Sequence, residues 1–154
     1  MARLIYLFCV IVSLSACAQS PVKNVEKTLA MQLEADRYYA DSQCDKALPI
    51  YIKLSATMPK ETKSLLRIGN CHAKAKDFVQ AQAAYQQAII RDNNFVKAWY
   101  NLAYVQAQQL ASTVSEMYKH IDKNAPEAQK IRNLTVGVLA PFEIKIDDTS
   151  DVKE

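Results

Sequence analysis

Apolar positions recur along this chain with a long period. Met31, Leu65 and Trp99 stand 34 residues apart, and so do Ala35, Gly69 and Ala103. Ala47 and Ala81, Tyr51 and Tyr85, and Leu54 and Ala88 keep the same interval. A period of this length marks stacked helical units, each of which buries its apolar face only against a neighbour. Helix starts are readable as well. Asp77-Phe78-Val79-Gln80 and Thr113-Val114-Ser115-Glu116 have the pattern of capping boxes, and Ser42 suits the cap of a helix that follows it. Pro126 suits the first turn of a last helix running to about Leu134. Beyond it, residues 135–154 read as an extended tail. Val136, Val138, Leu139, Phe142, Ile144 and Ile146 make its first part apolar and rich in strand-formers, and Pro141 interrupts any helix. This tail either lies on the last helices, or pairs with a partner or folds back into the groove.

The first residues have a different pattern. Arg3 precedes an apolar run from Leu4 to about Leu14, followed by the small residues Ser15, Ala16 and Cys17. A charged start, a short apolar middle and a small-residue end describe a secretory signal. The run falls well short of the roughly 20 apolar residues that a spanning helix needs. Leu14-Ser15-Ala16-Cys17 resembles the lipobox of bacterial lipoproteins. That resemblance implies lipidation of Cys17, with residues 1–16 removed as a signal peptide and 17–27 left as a lipidated linker. Ala16-Cys17-Ala18 also fits ordinary A-x-A cleavage, which releases a soluble protein starting at Gln19. With Ala18 and not Asp after the cysteine, the lipobox resemblance implies sorting to the outer membrane, as in enteric-type bacteria.

Composition narrows the class. Half of the residues are hydrophobic and only two are glycine, as expected of a helical fold with few tight turns. The formal charge is +3, and the charges are mixed along the chain with no basic arm or phosphate-binding stripe. There is no HExxH, no phosphate loop and no nucleophile beside a base. The two histidines, His72 and His120, are too few and badly spaced for zinc. The expectation is a chain without catalytic residues, metal or cofactor, and with neither a nucleic acid nor a small molecule as ligand.

The repeat resembles the tetratricopeptide repeat (TPR). The family pattern places bulky or aromatic residues at positions 4, 7, 11 and 24, small ones at 8, 20 and 27, and Pro at 32. The unit from Thr28 supplies Met31, Ala35, Tyr38, Ala47, Tyr51, Leu54 and Pro59. The unit from Thr62 supplies Leu65, Ile68, Gly69, Ala81, Tyr85 and Ala88. The unit from Val96 supplies Trp99, Leu102 and Ala103, and then drifts out of register, with Ser115 at position 20. The resemblance implies an all-α solenoid of helical hairpins: about three repeats plus a C-terminal capping helix, over residues 28–134.

In that fold the second helix of one repeat runs antiparallel to the first helix of the next. The register brings Cys44 and Cys71 to the same end of adjacent helices, implying a disulfide. The alternative is two small buried thiols. The resemblance also implies a concave face lined by the first helices. It carries Gln32, Asp36 and Tyr39; then Lys63, Leu66 and Asn70; then Lys97, Tyr100, Asn101 and Tyr104. Amides and tyrosines suit an extended peptide. Asn70 and Asn101 match clamp asparagines of chaperone-binding members, but Leu66 stands where that clamp has a lysine, so a chaperone-type C-terminal carboxylate is not the expected ligand. Together these readings imply a lipid-anchored interaction scaffold on the periplasmic face of the bacterial outer membrane. Its implied partners are envelope proteins, as for the TPR lipoproteins that assist secretin and pilus assembly. A soluble periplasmic adaptor or chaperone, and a regulatory subunit of a cell-wall enzyme, are the alternatives.

Overall fold

The computed structural model describes residues 21–146, so the expected signal peptide, Cys17 and the last residues of the expected tail lie outside the described residues. Six helices follow one another: α1 Pro21–Ala40, α2 Cys44–Thr57, α3 Lys63–Lys74, α4 Phe78–Arg91, α5 Val96–Met117 and α6 Pro126–Leu139. A 3₁₀ turn, Ala140–Phe142, ends the series. The described residues include no strand. Each helix packs on the next, forming three antiparallel pairs.

The repeated small residues are where the helices meet. Ala35, Ala47, Ala81, Ala88 and Ala98 are all fully buried. Gly69 lies under the ring of Tyr85; a Cβ there would come within 2.8 Å of Tyr85 Cζ and closer still to Cδ1 and Cε1. The repeated large residues fill the space between layers. Tyr51, Leu54, Leu65, Ile68, Tyr85, Leu102 and Val105 form one buried cluster running through the first five helices. Trp99, in the same repeat position as Leu65, is half-exposed, its Nε1 donating to the carbonyl of Asn93 at 2.9 Å. The contacts of α6 are made further along α5, at Ala107, Ala111 and Val114, which leaves the first turns of α5 uncovered.

The turns within the first two pairs are three-residue Schellman closures. Gln43 N–H bonds to Tyr38 O and Ser42 N–H to Tyr39 O; Asp77 N–H bonds to His72 O and Lys76 N–H to Ala73 O. Ser42 and Lys76 both take left-handed φ of 60°. Ser42 is therefore the turn residue and not the cap, and Gln43 precedes the helix. Asp77 does cap α4, its side chain accepting from Gln80 N–H at 3.3 Å.

Three boundaries differ from expectation. First, α1 begins at Pro21, so residues 21–27 are helical and not linker. Proline at a helix start loses no hydrogen bond, because that N–H has no partner anyway. Second, no helix starts at Thr113. Instead, α5 runs unbroken to Met117, and Thr113 Oγ1 donates back to Gln109 O at 3.0 Å. Nothing between Ala107 and Met117 breaks a helix, and Ala107, Ala111, Val114 and Tyr118 continue one buried stripe. Third, α6 extends five residues past Leu134, to Leu139. Burial of Ala128, Thr135 and Leu139 on one face overrides the β-branched valines, which point outward. Only residues after Leu139 leave the helix. They turn at Glu143, which has φ of 56°, and pack Phe142, Ile144 and Ile146 over α5.

Cys44 opens α2 and Cys71 lies in the last turn of α3. Their Cα atoms are 5.5 Å apart and the sulfurs are joined. The bridge ties the first pair to the second, which the helix-packing pattern alone does with alanines.

Candidate functional site

α1, α3 and α5 are the first helices of the three pairs, and they share one side of the solenoid. A polar network crosses it. Asp36 on α1 accepts from the Tyr51 hydroxyl at 2.7 Å and pairs with Lys63 of α3 at 2.7 Å. Burial alone would raise the Asp36 carboxyl; the Lys63 ammonium and Tyr51 hydroxyl outweigh it and hold it below the usual carboxylate range. Burial, and then the bond to that carboxylate, pushes the Tyr51 hydroxyl well above its ordinary value. Gln32 is half-buried one turn before Asp36.

Asn70 is the hub. Its Nδ2 donates to the Tyr39 hydroxyl at 2.9 Å. Its Oδ1 accepts from the Tyr85 hydroxyl at 2.9 Å and from Asn101 Nδ2 at 2.7 Å. One side chain therefore links α1, α3, α4 and α5. Tyr85 is buried, and burial pushes its hydroxyl up to about 12. Two of the expected ligand-facing residues thus hold the walls together: Asn70 spends most of its capacity inside the protein, and Tyr39 accepts from it.

Between α3 and the start of α5 lies a cleft of about 480 Å³, lined by Thr62, Lys63, Leu66, Arg67, Asn70, Phe95, Lys97 and Asn101. Its three charged residues are all cationic, and only Lys63 is paired, to Asp36. The Arg67 guanidinium carbon lies over the Tyr39 ring, 4.1 Å from its centroid, and its buried Nε has no hydrogen-bond partner. Lys97 is exposed at the rim. Leu66 and Phe95 give the floor an apolar part. Arg67 and Phe95 were absent from the expected groove. The signal for Arg67 was available, since it occupies repeat position 6, the same as Asn101 one period on.

Tyr100 and Tyr104 are not in this cleft. They do not line it, and Phe142 of the C-terminal segment packs against both, with ring centroids 5.8 Å and 6.2 Å away. Tyr104 also accepts from Gln108 Nε2 at 2.9 Å. The expected groove is thus split into a cationic cleft and an aromatic patch covered by the chain itself. Among the described residues no cluster of His, Cys, Asp or Glu could hold a metal, and no helix is long and apolar enough to cross a membrane.

No protein-family model matches the sequence, and comparison with curated proteins finds no match. Solved structures do match. The TPR2B domain of yeast Sti1, in its pHsp70 complex, superposes with a TM-score of 0.54 at 22% identity, covering 75% of this chain and 98% of that one. The first TPR domain of Spaghetti (RPAP3), bound to the HSP90 peptide SRMEEVD, gives a TM-score of 0.53 at 18% identity, covering 75% and 97%. With the paired helices and their 34-residue register, these matches show that the chain has the TPR fold, an all-α solenoid of helical hairpins.

Proposed function

We propose that this protein is a non-catalytic interaction scaffold whose cleft between α3 and α5 binds an extended, acidic segment of another protein. One observation carries the reading: the three charged groups that line the cleft, Lys63, Arg67 and Lys97, are all cationic, and the carboxylate beside them, Asp36, is already engaged by Lys63 and the Tyr51 hydroxyl. A carboxylate is the chemistry that completes this set, because arginine and lysine donate charge-assisted bonds to it. One fold neighbour is described as bound to a peptide, SRMEEVD, which is acidic. Binding to arrayed extended peptides tests the reading. Acidic sequences are expected to dominate for the native chain. An unchanged preference after Arg67→Ala with Lys97→Ala would overturn it.

We further propose that Cys17 is lipidated and that the scaffold works on the periplasmic face of the bacterial outer membrane. There it would serve assembly of an envelope complex such as a pilus or secretion system. The support is the lipobox-like Leu14–Cys17 stretch and the short tether after it. α1 begins at Pro21, only four residues beyond Cys17, so an acylated Cys17 holds the free end of α1 within about 14 Å of the bilayer surface. Val25, Leu29 and Leu33 form an exposed aliphatic stripe at that end. Intact mass of the mature protein decides. A mass starting at Cys17 with acyl chains supports the anchor. A mass starting at Gln19 replaces it with a soluble periplasmic adaptor.

A further inference from the structure

We infer that the Tyr100–Tyr104 face of α5 is a subsite for an aromatic side chain, filled in the free protein by Phe142 of its own chain. The inference rests on the groove reading above and extends it to a second point of contact. Tyr100 and Tyr104 are one helical turn apart and present a continuous aromatic face. Phe142 meets it as a ligand ring would, tilted at 51° to Tyr100 and edge-on at 72° to Tyr104. The occupant is held lightly. Phe142 is itself only half-buried, and Tyr100 keeps 57% of its surface exposed with the ring in place. The turn that carries Phe142 closes on itself, through Glu143 N–H to Ala140 O at 3.1 Å and Ile144 N–H to Leu139 O at 3.4 Å. The grip on α5 comes from side chains: Phe142 on the tyrosines, and Ile144 and Ile146 against the small residues Ala107 and Ala111.

The position of this patch says what kind of ligand displaces Phe142. Lys97, at the rim of the cationic cleft, and Tyr104 are seven residues apart on α5, which is about 10 Å of helix rise. An extended peptide covers that distance in about three residues. The partner segment therefore carries an acidic residue and, about three residues away, an aromatic one. The acidic residue enters beside Arg67 and Lys97, and the aromatic ring takes the place of Phe142. In the free chain the C-terminal segment keeps the tyrosines from being an open apolar patch, so ligands without the aromatic residue gain nothing from them.

Titration with a small aromatic probe, N-acetyl-phenylalaninamide, tests the subsite without requiring the acidic cleft. The full mature chain and its Phe142→Ala variant are compared, following the Tyr100 and Tyr104 ring signals by NMR. The probe is expected to shift both rings in Phe142→Ala, to leave them unmoved at the same concentration in the native chain, and to lose the effect when Tyr104→Ala is added. Circular dichroism checks that each variant is folded, and Phe142→Leu substitutes if the alanine variant is not. No shift in a folded variant overturns the inference, as does an equal shift in the native chain. The groove reading fails separately, if acidic peptides do not bind while this titration succeeds. In peptide binding, replacing Phe142 with alanine should tighten a probe with the acidic–aromatic spacing at least five-fold. A matching probe with serine for the aromatic should be unaffected.

Discussion

Replacing Asn70 with alanine removes a side chain that hydrogen-bonds from α3 to three other helices. The loss can be built from its bonds. Tyr85 is 2% exposed, so its hydroxyl loses its acceptor with no water to replace it, at about 1–3 kcal/mol. Tyr39 and Asn101 are half-buried and can turn to solvent, so each costs about 0.5 kcal/mol. Alanine in place of asparagine inside α3 returns about 0.5 kcal/mol of helix propensity. The net expectation is a destabilisation of about 1.5–3.5 kcal/mol, a large part of a typical domain's 5–15 kcal/mol. Asn101→Ala, which removes one bond from a half-buried amide, should cost about 0.5 kcal/mol. Urea unfolding followed by far-ultraviolet circular dichroism measures both. Tyr85→Phe then isolates the pair: it should be costly in the native chain and nearly free in the Asn70→Ala background. A loss in Asn70→Ala no larger than in Asn101→Ala, or strict additivity with Tyr85→Phe, would refute the hub.

Three further outcomes follow from the same structure. Gly69→Ala should destabilise by about 1–3 kcal/mol because its Cβ meets the Tyr85 ring, whereas Gly137→Ala, with nothing within 4 Å, should stabilise by about 0.5 kcal/mol; thermal melts of the two read opposite signs. Removing the Cys44–Cys71 bridge with paired serines should cost about 3.5 kcal/mol in the chain-entropy model for a loop of this length, and non-reducing mass spectrometry of the native chain should find neither thiol free. Tyr85, with its hydroxyl raised to about 12 against about 10 in the unfolded chain, adds stability that is complete below pH 10 and lost as pH rises from 10 to 12; Tyr85→Phe should flatten that part of the stability–pH curve.

Much of the architecture is written in the spacing of small residues. Ala35, Gly69, Ala47 and Ala81 recur at 34 because helix pairs must approach closely there, and each is buried. The third pair was harder to read because its turn is not where the period puts it. Thr113–Glu116 has the letters of a capping box, but such letters also occur inside helices. The continuation of Ala107, Ala111 and Val114 into Tyr118 decides for one long helix. The end of α6 escaped for a similar reason. Val136 and Val138 favour strands as isolated residues, yet Thr135 and Leu139 are buried with Ala128, and packing prevails. At the site, residue identity located the wall but not its division of labour. Asn70 and Tyr39 were legible as groove positions, and their mutual bond was not, because it depends on the stagger of α3 against α1. Nor can spacing show that Phe142 returns 38 residues later in the chain to cover Tyr104.

The central claim is that the cationic cleft between α3 and α5 recognises acidic side chains in an extended segment. Calorimetric titration measures it directly, using the best acidic peptide from the array and its counterpart with every Glu and Asp replaced by the amide. The account predicts at least ten-fold tighter binding of the acidic form to the native chain, weakened by salt. It predicts no such difference in Arg67→Ala with Lys97→Ala, provided that variant retains its melting temperature. Equal binding of the two peptides to the native chain, or an acidic preference that survives in the variant, would contradict it.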